Sequence, residues 1–92
     1  MHGRLAICED SDADRAYLAD LVNRWAARAG HAVQISSFSS AESFLFWYAE
    51  QEKLDILLLD IEMGKMDGVT LAKKLREDGD AVQIVFITGY AD

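Results

Sequence analysis

Three places in this chain put chemistry-bearing side chains where a buried strand would emerge: Glu9-Asp10 after RLAIC, Asp60 after LDILLL, and Thr88 after QIVFI. A short apolar run closed by an acid or a hydroxyl is the pattern of a parallel strand at its carboxyl end, and open α/β sheets bind ligands along that edge. The acids would converge there. Two carboxylates about 5 Å apart repel by roughly 3 kcal/mol at an effective dielectric of about 20, so such a cluster calls for a cation. Hard oxygen donors suit Mg²⁺. An ionised aspartate beside a divalent ion can also attack phosphorus, because the metal screens the charge on the phosphoryl oxygens. The chemistry implied is an aspartyl-phosphate switch.

The elements that must position these residues follow from the apolar pattern. Short β-rich runs alternate with amphipathic segments in the order βαβαβαβ, which predicts a doubly wound parallel sheet. The first strand covers about Arg4–Cys8. A helix follows over Asp12–Ala29, with Leu18, Leu21, Val22, Trp25 and Ala29 at helical spacing, and Gly30 stops it. AVQISSF alternates Val33, Ile35 and Ser37 with polar neighbours and reads as a second strand at the sheet's margin. Ser39-Ser40-Ala41-Glu42 is a capping-box pattern opening a second helix. On that helix Ala41, Phe44, Leu45 and Tyr48 form the inward face, and Phe46 and Trp47 turn partly outward.

The third strand, Ile56–Leu59, is apolar throughout and therefore central, with both faces covered. The loop Ile61–Met66 leads to a third helix over Gly68–Glu77, with Val69, Leu71, Ala72 and Leu75 inward. The acids Glu77, Asp78 and Asp80 surround Gly79 and read as a solvated helix end and turn. Val82–Ile87 is the fourth strand. His2 and His31 have no acid or cysteine at ligand spacing and read as surface or loop histidines.

Composition narrows the function classes. A chain of 92 residues makes one domain. Its apolar stretches are too short to span a bilayer, and the start MHGRLAIC has no apolar leader, so a soluble cytoplasmic protein is expected. Cys8 is the single cysteine; it excludes an internal disulfide and reads as a small core residue. A formal charge of −7 argues against direct binding to nucleic acid or an anionic membrane.

Taken together, LLLDIEMGKMDG (Leu57 to Gly68), the acidic pair Glu9-Asp10 and FITGYAD (Phe86 to Asp92) resemble the receiver domain of bacterial two-component response regulators, over the whole chain. DIEMGKMDG and IVFITGYAD are further similar to receivers that precede a LytTR-type DNA-binding domain. The resemblance implies a flavodoxin-like fold with strand order 2-1-3-4-5. It makes Asp60 the phosphorylated residue, with a sensor histidine kinase as donor and Mg²⁺ as cofactor. Asp10 would ligate the metal, Glu9 would hold metal-bound water or assist, and Glu62 would offer its backbone carbonyl. Thr88 would donate its hydroxyl to a phosphoryl oxygen, and Gly89 would leave room for the group. Asp67 would cap the third helix and Gly68 would lend its turn backbone freedom. The first helix would dock the kinase.

The chain also departs from that pattern. It supplies four strands, so the order expected is 2-1-3-4 with the fifth strand missing and the domain incomplete at its C-terminus. The lysine the family carries after its fifth strand has no counterpart, since Lys73 and Lys74 fall on the third helix. Gly64 stands where many members have proline. The fourth strand becomes an apolar edge, which predicts homo-oligomers through that strand or through exchanged elements. Two other functions compete with the signalling receiver: a binding-only pseudo-receiver or non-functional fragment, and a haloacid-dehalogenase-like phosphatase. The phosphatase also places an acid two residues after its nucleophile; here that residue is Glu62, and the Glu9-Asp10 pair belongs instead to the receiver pattern.

Overall fold

Apolar runs bounded by capping residues set the elements of this chain, and the computed structural model describes residues 2–50, 53–64 and 66–87. They run β1 (His2–Cys8), α1 (Asp12–Ala29), β2 (Ala32–Phe38), α2 (Ala41–Tyr48), β3 (Ile56–Asp60), α3 (Gly68–Glu77) and β4 (Gln83–Ile87). The strands form one parallel sheet in the order β2-β1-β3-β4. This is the expected doubly wound, flavodoxin-like order with four strands among the described residues. β1 begins earlier than its apolar run, so His2 pairs with Ala32 in the sheet and is not in a loop. β3 extends through Asp60, which pairs with Ile87.

Strand alternation sorts the core into two sides. Leu5 and Ile7 of β1 point toward α1 and pack with Leu18. Ala6 and Cys8 point the other way and pack with Leu57, Leu59, Phe44 of α2 and Leu71 and Leu75 of α3. The second side is the more aromatic: Phe44 is fully buried, stacks on Tyr48 at 5.0 Å and meets the edge of Phe38 at 5.6 Å.

Each helix is capped by the chemistry of its own ends. Ser11 accepts from the Asp14 N–H, and Gly30 closes α1 in the left-handed region at φ 72°. The cap of α2 is Ser40, whose hydroxyl accepts from the Ser43 N–H at 3.0 Å. The box expected between Ser39 and Glu42 is therefore shifted by one residue, because Ser40 is the last extended residue before the helix. Asp67 caps α3 as expected and accepts from the Thr70 N–H at 2.8 Å.

Four inward assignments and one outward assignment need correction. On α1 only Leu18 and Ala26 are buried; Leu21 and Trp25 are 38% and 51% exposed, and Ala29 is exposed. Residues four apart lie almost in line on a helix, whereas a step of one residue turns about 100°. Leu18, Val22 and Ala26 make the line that meets the sheet, so Leu21 and Trp25 sit beside it, and Trp25 covers the His31 ring at 5.2 Å. Val69 of α3 is likewise exposed, about 200° round the helix from Leu71. On α2 the inward face is as expected and Phe46 is exposed, but Trp47 turns in against Phe38 and Phe44.

β2 and β4 are the edges of the sheet. Val85 and Phe86 project from opposite faces of β4, and both are more than two-fifths exposed. Among the described residues, no helix is long and apolar enough to cross a membrane.

Candidate functional site

The register of the sheet brings the acids together. Cys8 lies level with Leu59 across β1 and β3, so the next residues on the two strands, Glu9 and Asp60, emerge side by side. One carboxylate oxygen from each of Glu9, Asp10 and Asp60 lies within 4.8 Å of the others. Glu9 and Asp60 are buried and Asp10 is exposed, so the cluster has a dry floor and an open rim.

Local hydrogen bonds hold these acids in place. The Ser11 N–H donates to Glu9 Oε2 at 3.0 Å, and the Glu62 N–H donates to Asp60 Oδ1 at 3.2 Å. Carboxylates gathered this closely repel one another when all are ionised, and a cation among them removes that cost. Burial raises the Asp60 carboxyl above its ordinary value, and the charges of Asp10 and Glu62 push the same way. The bonds from the Glu62 N–H and Glu9 only partly oppose this. Three carboxylate oxygens gathered at one sheet edge, on two buried residues and one exposed one, fit a hard divalent cation such as Mg²⁺.

The loop after Asp60 is shaped by two glycines. Gly64 adopts φ 22°, which proline cannot take. Gly68 does not have a positive φ, and the backbone freedom expected of it is not its role. A Cβ built there would lie 2.3 Å from the backbone oxygen of Asp60, and the Gly68 N–H donates to the Ile61 carbonyl at 2.9 Å. The absence of a side chain is what lets α3 start against the end of β3.

Of the residues expected at the site, the structure gathers Glu9, Asp10 and Asp60 and puts Glu62 beside them. Thr88 and Gly89 lie outside the described residues. Lys73 and Lys74 are exposed on α3. Ser11 was not singled out in the sequence; it caps α1 and its backbone N–H also holds Glu9, which depends on how tightly the chain turns after β1.

The profile of the response regulator receiver domain matches residues 5–92. The chain belongs to this family. Its receiver domains are signalling phosphoacceptors, not classical enzymes, which sets the dehalogenase-like phosphatase aside. Among similar proteins, the response regulator receiver protein CpdR of Brucella abortus is 33% identical over 89 residues, covering 96% of this chain and 68% of CpdR. An uncharacterised response regulatory protein of Vibrio cholerae, VC_A0850, is 31% identical over 77 residues, 84% of this chain and 30% of that protein. The solved structure of the response regulator StyR superposes with a TM-score of 0.74 at 29% identity, over 98% of this chain and 42% of StyR. The receiver thus spans less than half of two of these three relatives, and they are regulators of several kinds, not specifically LytTR-type.

Proposed function

We propose that this receiver accepts a phosphoryl group from the phosphohistidine of a sensor histidine kinase onto Asp60 and so controls an output. The observation that carries this reading is the position of Asp60: a buried carboxylate at the end of the central strand β3, grouped with Glu9 and Asp10 within 4.8 Å. An Asp60 oxygen would attack phosphorus as the nitrogen–phosphorus bond of the donor breaks, and the electron pair of that bond stays on the imidazole nitrogen. The Glu62 N–H holds the other carboxylate oxygen and orients the attack. Thr88 would donate to a phosphoryl oxygen, with Gly89 leaving it room.

Glu9, Asp10, Asp60 and the backbone carbonyl of Glu62 would hold Mg²⁺, which when bound neutralises charge on the transferring group. The output we propose is transcriptional, through a DNA-binding domain elsewhere in the whole protein, with this acidic segment making no nucleic-acid contact itself. A LytTR-type partner domain rests on the phrases DIEMGKMDG and IVFITGYAD alone. A cytoplasmic location accords with a kinase donor.

Intact mass after treatment with acetyl phosphate and Mg²⁺ tests the function, on the parent and on Asp60→Asn. One added phosphoryl mass on the parent alone is expected. No added mass on folded parent would favour the binding-only reading, in which the site transfers no phosphate.

The partly exposed Val85 and Phe86 of β4 favour a second reading, in which copies of this chain associate through that edge. Sedimentation should show a dimer or higher oligomer that Val85→Lys disperses. A concentrated monomer would overturn it.

A further inference from the structure

Arg15 reaches back from the first turns of α1 to the loop that carries the acidic pair. Its Nη1 donates to the backbone carbonyl of Glu9 at 2.8 Å, while Nη2 pairs with Asp12. The Asp12 side chain is 90% exposed, and an ion pair in that position contributes little by itself. The Arg15 side chain is only 21% exposed, so its stem is packed and its fork is held in one place.

Four bonds close on the same short segment. The Glu9 N–H donates to the Phe38 carbonyl at 3.0 Å, the Ser11 N–H to Glu9 Oε2 at 3.0 Å, and the Arg15 N–H to the Ser11 carbonyl at 2.9 Å. The guanidinium adds the fourth, onto the carbonyl of the peptide bond that joins Glu9 to Asp10. That peptide is planar, so fixing the direction of its carbonyl also fixes where the Asp10 Cα leaves it. Glu9 is held by its burial, but Asp10 stands at the exposed rim, where the backbone must aim it.

We infer that Arg15 is a positioning residue for the metal site: its hydrogen bond to the Glu9 carbonyl holds the β1–α1 turn so that the Asp10 carboxylate meets those of Glu9 and Asp60. This rests on the reading of the cluster as a Mg²⁺ site. The sign of the effect separates positioning from charge. Arg15 is a cation near a cation site, so if it acted only through space its removal would tighten Mg²⁺ binding. If it positions Asp10, its removal weakens binding despite the relief of repulsion.

Mg²⁺ affinity should be measured by calorimetry on the folded 92-residue chain, well below the melting temperature of each variant. Arg15→Ala is expected to raise the Mg²⁺ dissociation constant about tenfold, as loss of an outer partner of a metal ligand typically does. Arg15→Lys keeps the charge but cannot serve both the Glu9 carbonyl and Asp12, and should fall between Ala and the parent. Asp12→Ala leaves the Glu9 contact and should change the constant by less than about twofold. The Mg²⁺ concentration giving half-maximal labelling by acetyl phosphate should move with the binding constant, while the rate at saturating Mg²⁺ stays near that of the parent. An unchanged or tighter constant in Arg15→Ala would overturn the inference and leave the metal reading intact. Should Arg15→Ala not fold, an unchanged constant in Arg15→Met, which keeps the packed stem but has no donor for the Glu9 carbonyl, overturns it equally. A parent that binds no Mg²⁺ would overturn the metal reading, and this inference with it.

Discussion

Gly68 begins α3 directly against the backbone carbonyl of Asp60, with no room between them for a methyl group: a Cβ at that position would lie 2.3 Å from the carbonyl oxygen. The candidate phosphoacceptor and the start of the following helix are thus one packed unit. Gly68→Ala must push either α3 or the end of β3 aside, and overpacking of this kind costs about 1–3 kcal/mol. Urea unfolding should show that loss, together with a weakened Mg²⁺ response. Gly79→Ala is the control. Its position is open but has φ 81°, so the expected loss of about 1–2 kcal/mol comes from backbone strain and should leave the Mg²⁺ response unchanged.

Asp60→Asn should stabilise the metal-free protein at neutral pH. The folded Asp60 carboxyl lies above its ordinary value of 3.8, mainly through burial. A carboxyl raised on folding contributes stability below its unfolded value and loses that contribution as pH rises through its folded value. With EDTA present, the variant should therefore gain on the parent as pH rises from about 3.8. Added Mg²⁺ should narrow the difference: at ten times its dissociation constant it stabilises the parent by about 1.4 kcal/mol, and the variant by less. Thermal melts across pH with EDTA or Mg²⁺ check both signs.

The two phenylalanines of α2 should separate core from surface. Phe44 is fully buried among Phe38, Trp47 and Tyr48, and Phe44→Ala is expected to cost about 3–5 kcal/mol, a large part of the stability of a small domain. Phe46 is 83% exposed, and Phe46→Ala should change the urea midpoint by less than about 0.5 kcal/mol in equivalent stability.

Cys8 should be chemically silent until the protein unfolds. It is fully buried in the middle of the sheet, and burial pushes its thiol up to about 12. At pH 8 the folded chain should leave a disulfide reagent such as Ellman's essentially unconsumed, and should react promptly once urea passes the unfolding midpoint. Rapid reaction of the folded chain would contradict the packing of β1.

The element order and the acidic site were legible in the residues because both are local patterns. RLAIC, LDILLL and QIVFI each end an apolar run at a chemistry-bearing residue, and that alone places Glu9-Asp10 and Asp60 on one edge of a parallel sheet. Gly30 and Asp67 mark helix ends through bonds made within a few residues of themselves. Other features needed the fold. Helical spacing groups Leu18, Leu21, Val22 and Trp25 without saying how wide a strip the sheet presents, so only the assembled layers leave Trp25 outside and Leu18 within. The role of Gly68 lies in a carbonyl eight positions earlier in the chain, and no local pattern carries it. The elevated Asp60 carboxyl likewise follows from burial and from acids brought beside it by the β1–β3 register. Sequence determined which residue types stand at the strand ends, because alternation and capping act at short range. Tertiary structure decided their distances and their burial, because those depend on strands that meet only after the chain has crossed over itself.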